Sequence, residues 1–267
     1  MTVHASSTTT LPTPTDDLDR AEHDLRTHAI CAVTGVLDDN TLSTVRTELY
    51  AAAAHDRSRG WEQHDFVLDP DDTNQRVWNV LSRSPIFIDL VEHPVALRLL
   101  RSVLGWPMLL GNISGNITGP GGAAGAVHAD QLFVPNPWPA DPQGANATWC
   151  VDDFTADNGA TCFVPGSHLL NRAPRSPDEG DAVPFEAPAG SLVLFDARMW
   201  HRTGPNTTAD RRRAAIFAWY SRIIYRPQEN WFLSLNPAVR QFASEELLVL
   251  LGYKTWGLGL VNGASPS

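Results

Sequence analysis

Apolar residues recur at helical spacing through the first hundred positions and then switch to short alternating runs. Leu18, Ala21 and Leu25 fall on one helical face after Asp16 and Asp17 as caps. Leu42, Val45, Leu49 and Ala52 repeat that face after Asp39 and Asn40. A third helical stretch opens at Ser84-Pro85, breaks at Pro94, carries Leu97, Leu100 and Leu104, and stops at Gly105. Beyond it the pattern predicts strands over Met108–Thr118, Gly125–Phe133, Ala147–Asp153, Thr161–Val164, Ser191–Asp196 and Ala214–Ser221, with Asp157-Asn158-Gly159 as a turn. A helix returns after Asn236-Pro237, runs through Leu247–Leu251 and ends at Gly252. Many short strands broken by Gly, Pro and Asn suggest a sandwich or jelly roll. The fold class expected is mainly β, a jelly-roll core with flanking α-helices.

Composition narrows the function classes. The chain has 267 residues, 43 % of them apolar and 19 % charged, an ordinary globular balance. Residues 1–15, rich in Ser, Thr and Pro, read as a disordered leader with no signal-peptide pattern, and 16–267 as one domain. A net charge of −10 argues against nucleic acid and anionic membranes as partners. No run of 18 apolar residues spans a membrane. Three cysteines, Cys31, Cys150 and Cys162, fit buried thiols in a reducing cytoplasm.

Chemistry enters at His128-Ala129-Asp130. Residues two apart on a strand share a face, so His128 and Asp130 can grip one ion together. His201, just past the strand Ser191–Asp196, supplies a third donor. Two imidazoles and one carboxylate form the facial set of non-haem iron(II) oxygenases, which leaves three positions open for a keto acid and O2. His-x-Asp alone also occurs in plain surface pairs. The segment after His201 adds weight: Arg211-Arg212-Arg213 opens the next apolar strand. A guanidinium there binds a dicarboxylate in two-pronged fashion. On a strand Arg211 and Arg213 share one side, so a single inward arginine between two solvated ones is Arg212.

These residues resemble the phytanoyl-CoA dioxygenase family of iron(II)/2-oxoglutarate oxygenases over nearly the whole chain. The resemblance rests on His128-Ala-Asp130; on Val151–Gly159 leading to Val164-Pro-Gly-Ser-His168; on Gly190–Asp196 leading to His201; and on Gly204-x-Asn206 leading to Arg212. It implies a double-stranded β-helix, with iron(II), 2-oxoglutarate and O2 as cofactor and cosubstrates. It also implies that Arg212, eleven residues after His201, binds the cosubstrate carboxylate. Trp149, and Asn116 or Asn112, correspond to further cosubstrate contacts. His168 corresponds to a structural turn, not a ligand. Halogenating relatives replace the carboxylate ligand, so Asp130 implies hydroxylation, desaturation, or radical cyclisation or rearrangement, and no halogenation. Leu250–Gly257 resembles a subgroup that tailors natural products and is often dimeric, which extends to a homodimer here.

The loop Gln131–Asn146 follows the ligands and carries Leu132, Phe133, Val134 and Trp138. It reads as a lid over a hydrophobic small-molecule substrate. Two other classes fit a jelly roll: a cupin-like metal isomerase or hydrolase, and a non-catalytic binding module. Succinate formation from 2-oxoglutarate separates them.

Overall fold

The computed structural model describes residues 10–62, 68–69, 71–254, 257–264 and 266. The helical opening comprises α1 (Leu18–His28), α2 (Asp39–Arg59), α3 (Ile86–Val91) and α4 (Pro94–Leu104). Asp17 caps α1 by accepting from the N–H groups of Asp19 and Arg20. The cap of α2 is Asp38, one residue earlier than expected, and Gly60 ends that helix at φ +67°. Pro94 does not kink a single helix. It occupies the first turn of α4, where its missing N–H costs nothing.

The strands among the described residues, two of them set between these helices, are β1 (Ile30–Val33), β2 (Asn74–Val77), β3 (Met108–Thr118), β4 (Gly144–Cys150), β5 (Thr161–Phe163), β6 (Val183–Pro184), β7 (Leu192–Asp196), β8 (His201–Thr203) and β9 (Arg213–Arg222). They form a six-stranded antiparallel sheet in the order β1-β7-β4-β9-β3-β2 and a three-stranded sheet in the order β6-β5-β8. Bridges at His128–His201 and Asn158–Asn206 extend the smaller sheet. Phe163 of β5 packs with Phe195 of β7 and Ala215 of β9 in one apolar core, so the two sheets close on each other as a jelly roll. A second, larger core lies between the six-stranded sheet and the helices, where Leu97 and Leu100 of α4 meet Trp149, Ala218 and Tyr220. The C-terminal helices α5 (Trp231–Ser234), α6 (Pro237–Gln241) and α7 (Glu245–Leu250) join that side, with Trp231, Leu247 and Leu250 buried in it.

Three expectations change. The segment Gly125–Phe133 is not a strand; it makes only the bridge at His128 and then turns. With only the bridge at His128 to pair it, the segment has too little ladder to propagate. β4 begins at Gly144, so Asn146 belongs to the sheet and not to the preceding loop. The leader is not loose up to residue 15: Thr15 exchanges backbone hydrogen bonds with Ala32 and Thr34 beside β1. Residues 1–9, and Thr255 and Trp256 of the C-terminal motif, lie outside the described residues. Among the described residues no helix is long and apolar enough to cross a membrane.

Candidate metal centre and cavity

Pairing register decides which side chains enter the barrel. β9 lies between β3 and β4, with Asn112 and Asn146 both opposite Trp219, and Ser114 and Thr148 both opposite Phe217. Asn116 and Cys150 flank Ala215, and Thr118 faces Arg213. Each row shares one face of the pleat. The alternate residues Ala145, Ala147, Trp149, Ala214, Ile216, Ala218 and Tyr220 all pack toward the helices.

The inner face opens on a cavity of about 600 Å³, within the usual range for small-molecule sites. Its walls include Asn112, Ser114, Asn116, Asn146, Phe217 and Trp219, with Leu132, Phe133, Tyr225 and Gln228 toward the mouth. Trp219 sits where two glycines leave room. A Cβ on Gly111, at the β3 bulge, would lie 1.9 Å from the indole, and one on Gly144 would lie 3.0 Å from its Nε1. Phe133 packs edge-on against Trp219 and Tyr225, with ring centroids 5.2 and 5.1 Å away.

His128, Asp130 and His201 meet at this cavity, their ligand atoms all within 4.8 Å of one another. Among the described residues no other His, Cys, Asp or Glu group is arranged this way. His128 and His201 exchange both backbone hydrogen bonds, each 2.9 Å, which sets their rings side by side with centroids 4.3 Å apart. His128 Nδ1 lies 3.0 Å from the Ala126 carbonyl and His201 Nδ1 lies 2.9 Å from the Met199 carbonyl. Each Nδ1–H donates there, so each Nε2 lone pair faces the common point. Asp130 closes the triangle, with one oxygen 3.6 Å from His128 Nε2 and the other 3.6 Å from His201 Nε2. Burial, then the neighbouring His201, pushes His128 down to about 4, so its imidazole is neutral and able to ligate at neutral pH. His168 is buried in the turn Ser167–Leu170 and stands apart from this group.

The donor set suits a divalent metal of the iron type, and the interior suits a dicarboxylate. Thr148 Oγ1 and Arg213 Nη1 are buried with no hydrogen-bond partner among the described residues. The inward arginine is Arg213, not Arg212. Alternation across Arg211–Arg213 would hold only if all three lay on a strand, but β9 begins at Arg213. Arg211 and Arg212 are exposed on the approach, while Arg213 is wholly buried on the face of Phe217 and Trp219. Its Nε and Nη2 donate to the Gly159 carbonyl, and its guanidinium rests 4.9 Å over the Phe154 ring. Burial lowers its pKa to about 10, which leaves it cationic at neutral pH.

The other named residues divide. Asn116 and Asn112 line the cavity. Trp149 does not: the row opposite Ile216 puts it on the helix side, edge-on to His93 at 5.2 Å. Leu132 and Phe133 line the mouth, but Val134 and Trp138 turn away into a small core with Val127, Ala129 and Trp200. The Trp138 indole donates to the Val134 carbonyl, which folds the loop back on itself. Sequence reasoning missed Asn146, Trp219, Phe217 and Tyr225. The signal for Asn146 was an amide inside the apolar strand Gly144–Cys150, since a buried polar group needs a partner.

Comparison with known proteins agrees with this construction. Dioxygenase af480 of Aspergillus fumigatus is 35 % identical over 238 residues, covering 88 % of this chain and 77 % of that protein. Dioxygenase swnH1 of Arthroderma benhamiae is 26 % identical, covering 88 % and 83 %. Among solved structures, the non-heme alpha ketoglutarate dependent epimerase SnoN from nogalamycin biosynthesis superposes with a TM-score of 0.62 at 23 % identity, covering 94 % of this chain and 95 % of that one. HygX from Streptomyces hygroscopicus, solved with nickel and 2-oxoglutarate bound, gives 0.62 at 17 %, covering 78 % and 88 %. The phytanoyl-CoA dioxygenase (PhyH) family model matches residues 26–214, a span that holds the whole His–Asp–His cluster and ends just past Arg213. That match, with the relatives beside it, makes this chain a member of the phytanoyl-CoA dioxygenase family of iron(II)/2-oxoglutarate-dependent oxygenases.

Proposed function

We propose that this chain oxidises a small, largely apolar natural-product intermediate, with iron(II) held by His128, Asp130 and His201. Arg213 anchors the far carboxylate of 2-oxoglutarate. The observation that carries the reading is the convergence of three ligand atoms at the cavity, on whose strand face Arg213 is buried with its Nη1 unpaired among the described residues. Neither a cupin-like isomerase nor a bare binding module has use for that guanidinium.

When bound, iron(II) with 2-oxoglutarate and O2 supplies the oxidising power, and the cosubstrate leaves as succinate and CO2. The chain's own residues bind, orient and exclude water. The two Nδ1–H bonds keep both imidazoles turned to the metal. Thr148 and Asn116 offer hydrogen bonds along the path from the metal to Arg213. Phe133, Trp219 and Tyr225 wall the substrate side, and their packed rings keep bulk water from the reacting carbon. Asn112 Oδ1 and Trp219 Nε1 are buried without partners among the described residues, so an apolar skeleton bearing one or two polar functions fits best. Asp130 occupies the position a halide would need, so the reaction is hydroxylation, desaturation or cyclisation. SnoN, which comes from nogalamycin biosynthesis, supports this substrate class.

The test is anaerobic loading with iron(II), then O2 and 2-oxoglutarate, with succinate measured in the presence of a panel of polycyclic terpenoid, polyketide and alkaloid intermediates. Substrate-stimulated succinate is the expected outcome, and no iron-dependent succinate under any condition rejects the reading. We further read residues 16–267 as one domain and the molecule as a homodimer that buries the exposed Phe232, Leu233 and Phe242, which light scattering checks.

A further inference from the structure

Asp130 presents its two oxygens evenly, each 3.6 Å from one imidazole nitrogen. Nothing in the triad itself chooses between them. A carboxylate that turned both oxygens to the metal would take one of the three positions that a keto acid and O2 need. One neighbour breaks the symmetry. Asn146, on β4, is 5 % exposed, and its amide donates to Asp130 Oδ2. The bond crosses from the sheet to the turn that carries Asp130, between residues 16 apart in sequence.

Resting on the oxygenase reading above, we infer that Asn146 is a positioning residue that occupies Oδ2 and holds Asp130 to one-oxygen ligation through Oδ1. The register supports it. Asn146 sits opposite Trp219 and Phe195, so its backbone is fixed on both sides by sheet pairing. Gly144, two residues earlier, lets β4 approach Tyr220 of β9 closely, since a Cβ there would fall 2.9 Å from its carbonyl. The amide therefore meets the carboxylate from a rigid strand and not from a loop. An amide on an ionised carboxylate makes a charge-assisted bond, strong enough to bias which oxygen the metal takes.

The prediction separates metal affinity from room at the metal. In Asn146→Ala and Asn146→Leu, Oδ2 is released and turns to the metal. The manganese(II)-loaded protein should lose about one exchangeable water in proton relaxation measurements, because one of three open positions closes. Anaerobic 2-oxoglutarate binding to the iron(II) form, followed by its charge-transfer absorption, should weaken by about tenfold or more, while metal affinity falls by less than that, because the released oxygen ligates in its turn. Leu fills the Asn volume without a donor, so it reports the same loss if Ala alone fails to fold. Unchanged water count and 2-oxoglutarate affinity in both variants overturns the inference. So does parallel loss of metal, cosubstrate and melting temperature, which marks a purely structural residue. A wild-type protein that binds iron(II) and 2-oxoglutarate with no absorption change sinks the oxygenase reading itself, and this inference with it.

Discussion

The two faces of β4 and β9 are built from the same strands but by opposite rules. Toward the helices they present Ala145, Ala147, Trp149, Ile216, Ala218 and Tyr220, and Tyr220 donates its hydroxyl to the Val91 carbonyl. That face is filled, and of the residues named on it only Trp149 leaves a polar atom, Nε1, without a partner among the described residues. Toward the barrel the same strands present Asn146, Thr148, Arg213 and Trp219, and three of these leave a buried polar atom without a partner among the described residues. Leaving such atoms unmet costs stability, about 1–3 kcal/mol each. A fold keeps them where a bound molecule completes them. Function in this chain is to be sought where unmet polar atoms share a face with the metal ligands' cavity, and not in its largest side chains.

The most severe break of this contrast removes a ligand. Asp130→Ala should abolish stoichiometric iron(II) binding, a loss larger than the about 100-fold that an outer partner costs. It should leave the melting temperature of the metal-free protein nearly unchanged, because Asp130 is not part of either large core. Equilibrium dialysis and calorimetry check both. A metal that still binds tightly places the centre elsewhere.

Next comes the arginine pair. Arg213→Ala should raise the 2-oxoglutarate requirement by about two orders of magnitude, as expected for losing a charge-assisted, two-pronged contact worth a few kcal/mol. Arg212→Ala should change it less than about twofold, because an exposed arginine off the inner face has nothing to give the cosubstrate. Since Arg213 also bonds the Gly159 carbonyl, Arg213→Lys belongs in the set. It keeps the charge and loses the fork, and should fall between the two. Steady-state KM for 2-oxoglutarate is the measurement, and equal losses at Arg212 and Arg213 would contradict the inner-face assignment.

How far the sequence reached follows the same division. Helical periodicity located α1, α2, α3 and α4, and apolar or alternating runs located β3, β7 and β9, because burial writes itself into residue spacing. The metal ligands were legible because their chemistry is rare and their spacing short. What sequence could not supply was the starting residue of a strand. Alternation read across Arg211–Arg213 put Arg212 inside, whereas β9 starts at Arg213 and turns that residue inward, since a one-residue change of phase reverses every side chain. Trp149, matched to the cosubstrate pocket by resemblance, faces the other way, because its row partner Ile216 belongs to the helix-side core. β2, β6 and β8 span only 4, 2 and 3 residues, too short for any periodic signal, and long-range pairing alone makes them strands.

The outer face supplies the converse test. Trp149→Phe should destabilise the protein by about 1–3 kcal/mol, through lost packing volume beneath α4. Cosubstrate affinity should stay unchanged. Denaturant unfolding beside 2-oxoglutarate binding separates the two readouts. A raised 2-oxoglutarate requirement at unchanged stability would put Trp149 back on the cavity side and erase the contrast between the faces.

The smallest expected effect lies at the cavity rim, where the loop after Asp130 divides in the same way. Phe133 is 45 % exposed yet contacts Trp219 and Tyr225 across the mouth, while Trp138 is 5 % exposed in a core of its own. Phe133→Ala removes an exposed ring, so folding should change by less than about 0.5 kcal/mol. Iron and 2-oxoglutarate affinities should hold, since the ring touches neither the ligands nor Arg213. Its loss opens the mouth to water and loosens the substrate, so succinate should form in a several-fold excess over oxidised product, with altered product ratios. Trp138→Ala should act the other way: reduced stability, about 3 kcal/mol for a buried indole, with coupling preserved in whatever protein remains folded. Mass spectrometry of products against succinate, run on both variants, decides it. Unchanged coupling in Phe133→Ala would show that the rim serves only as surface and that the walls formed by Phe217 and Trp219 alone shield the reacting carbon.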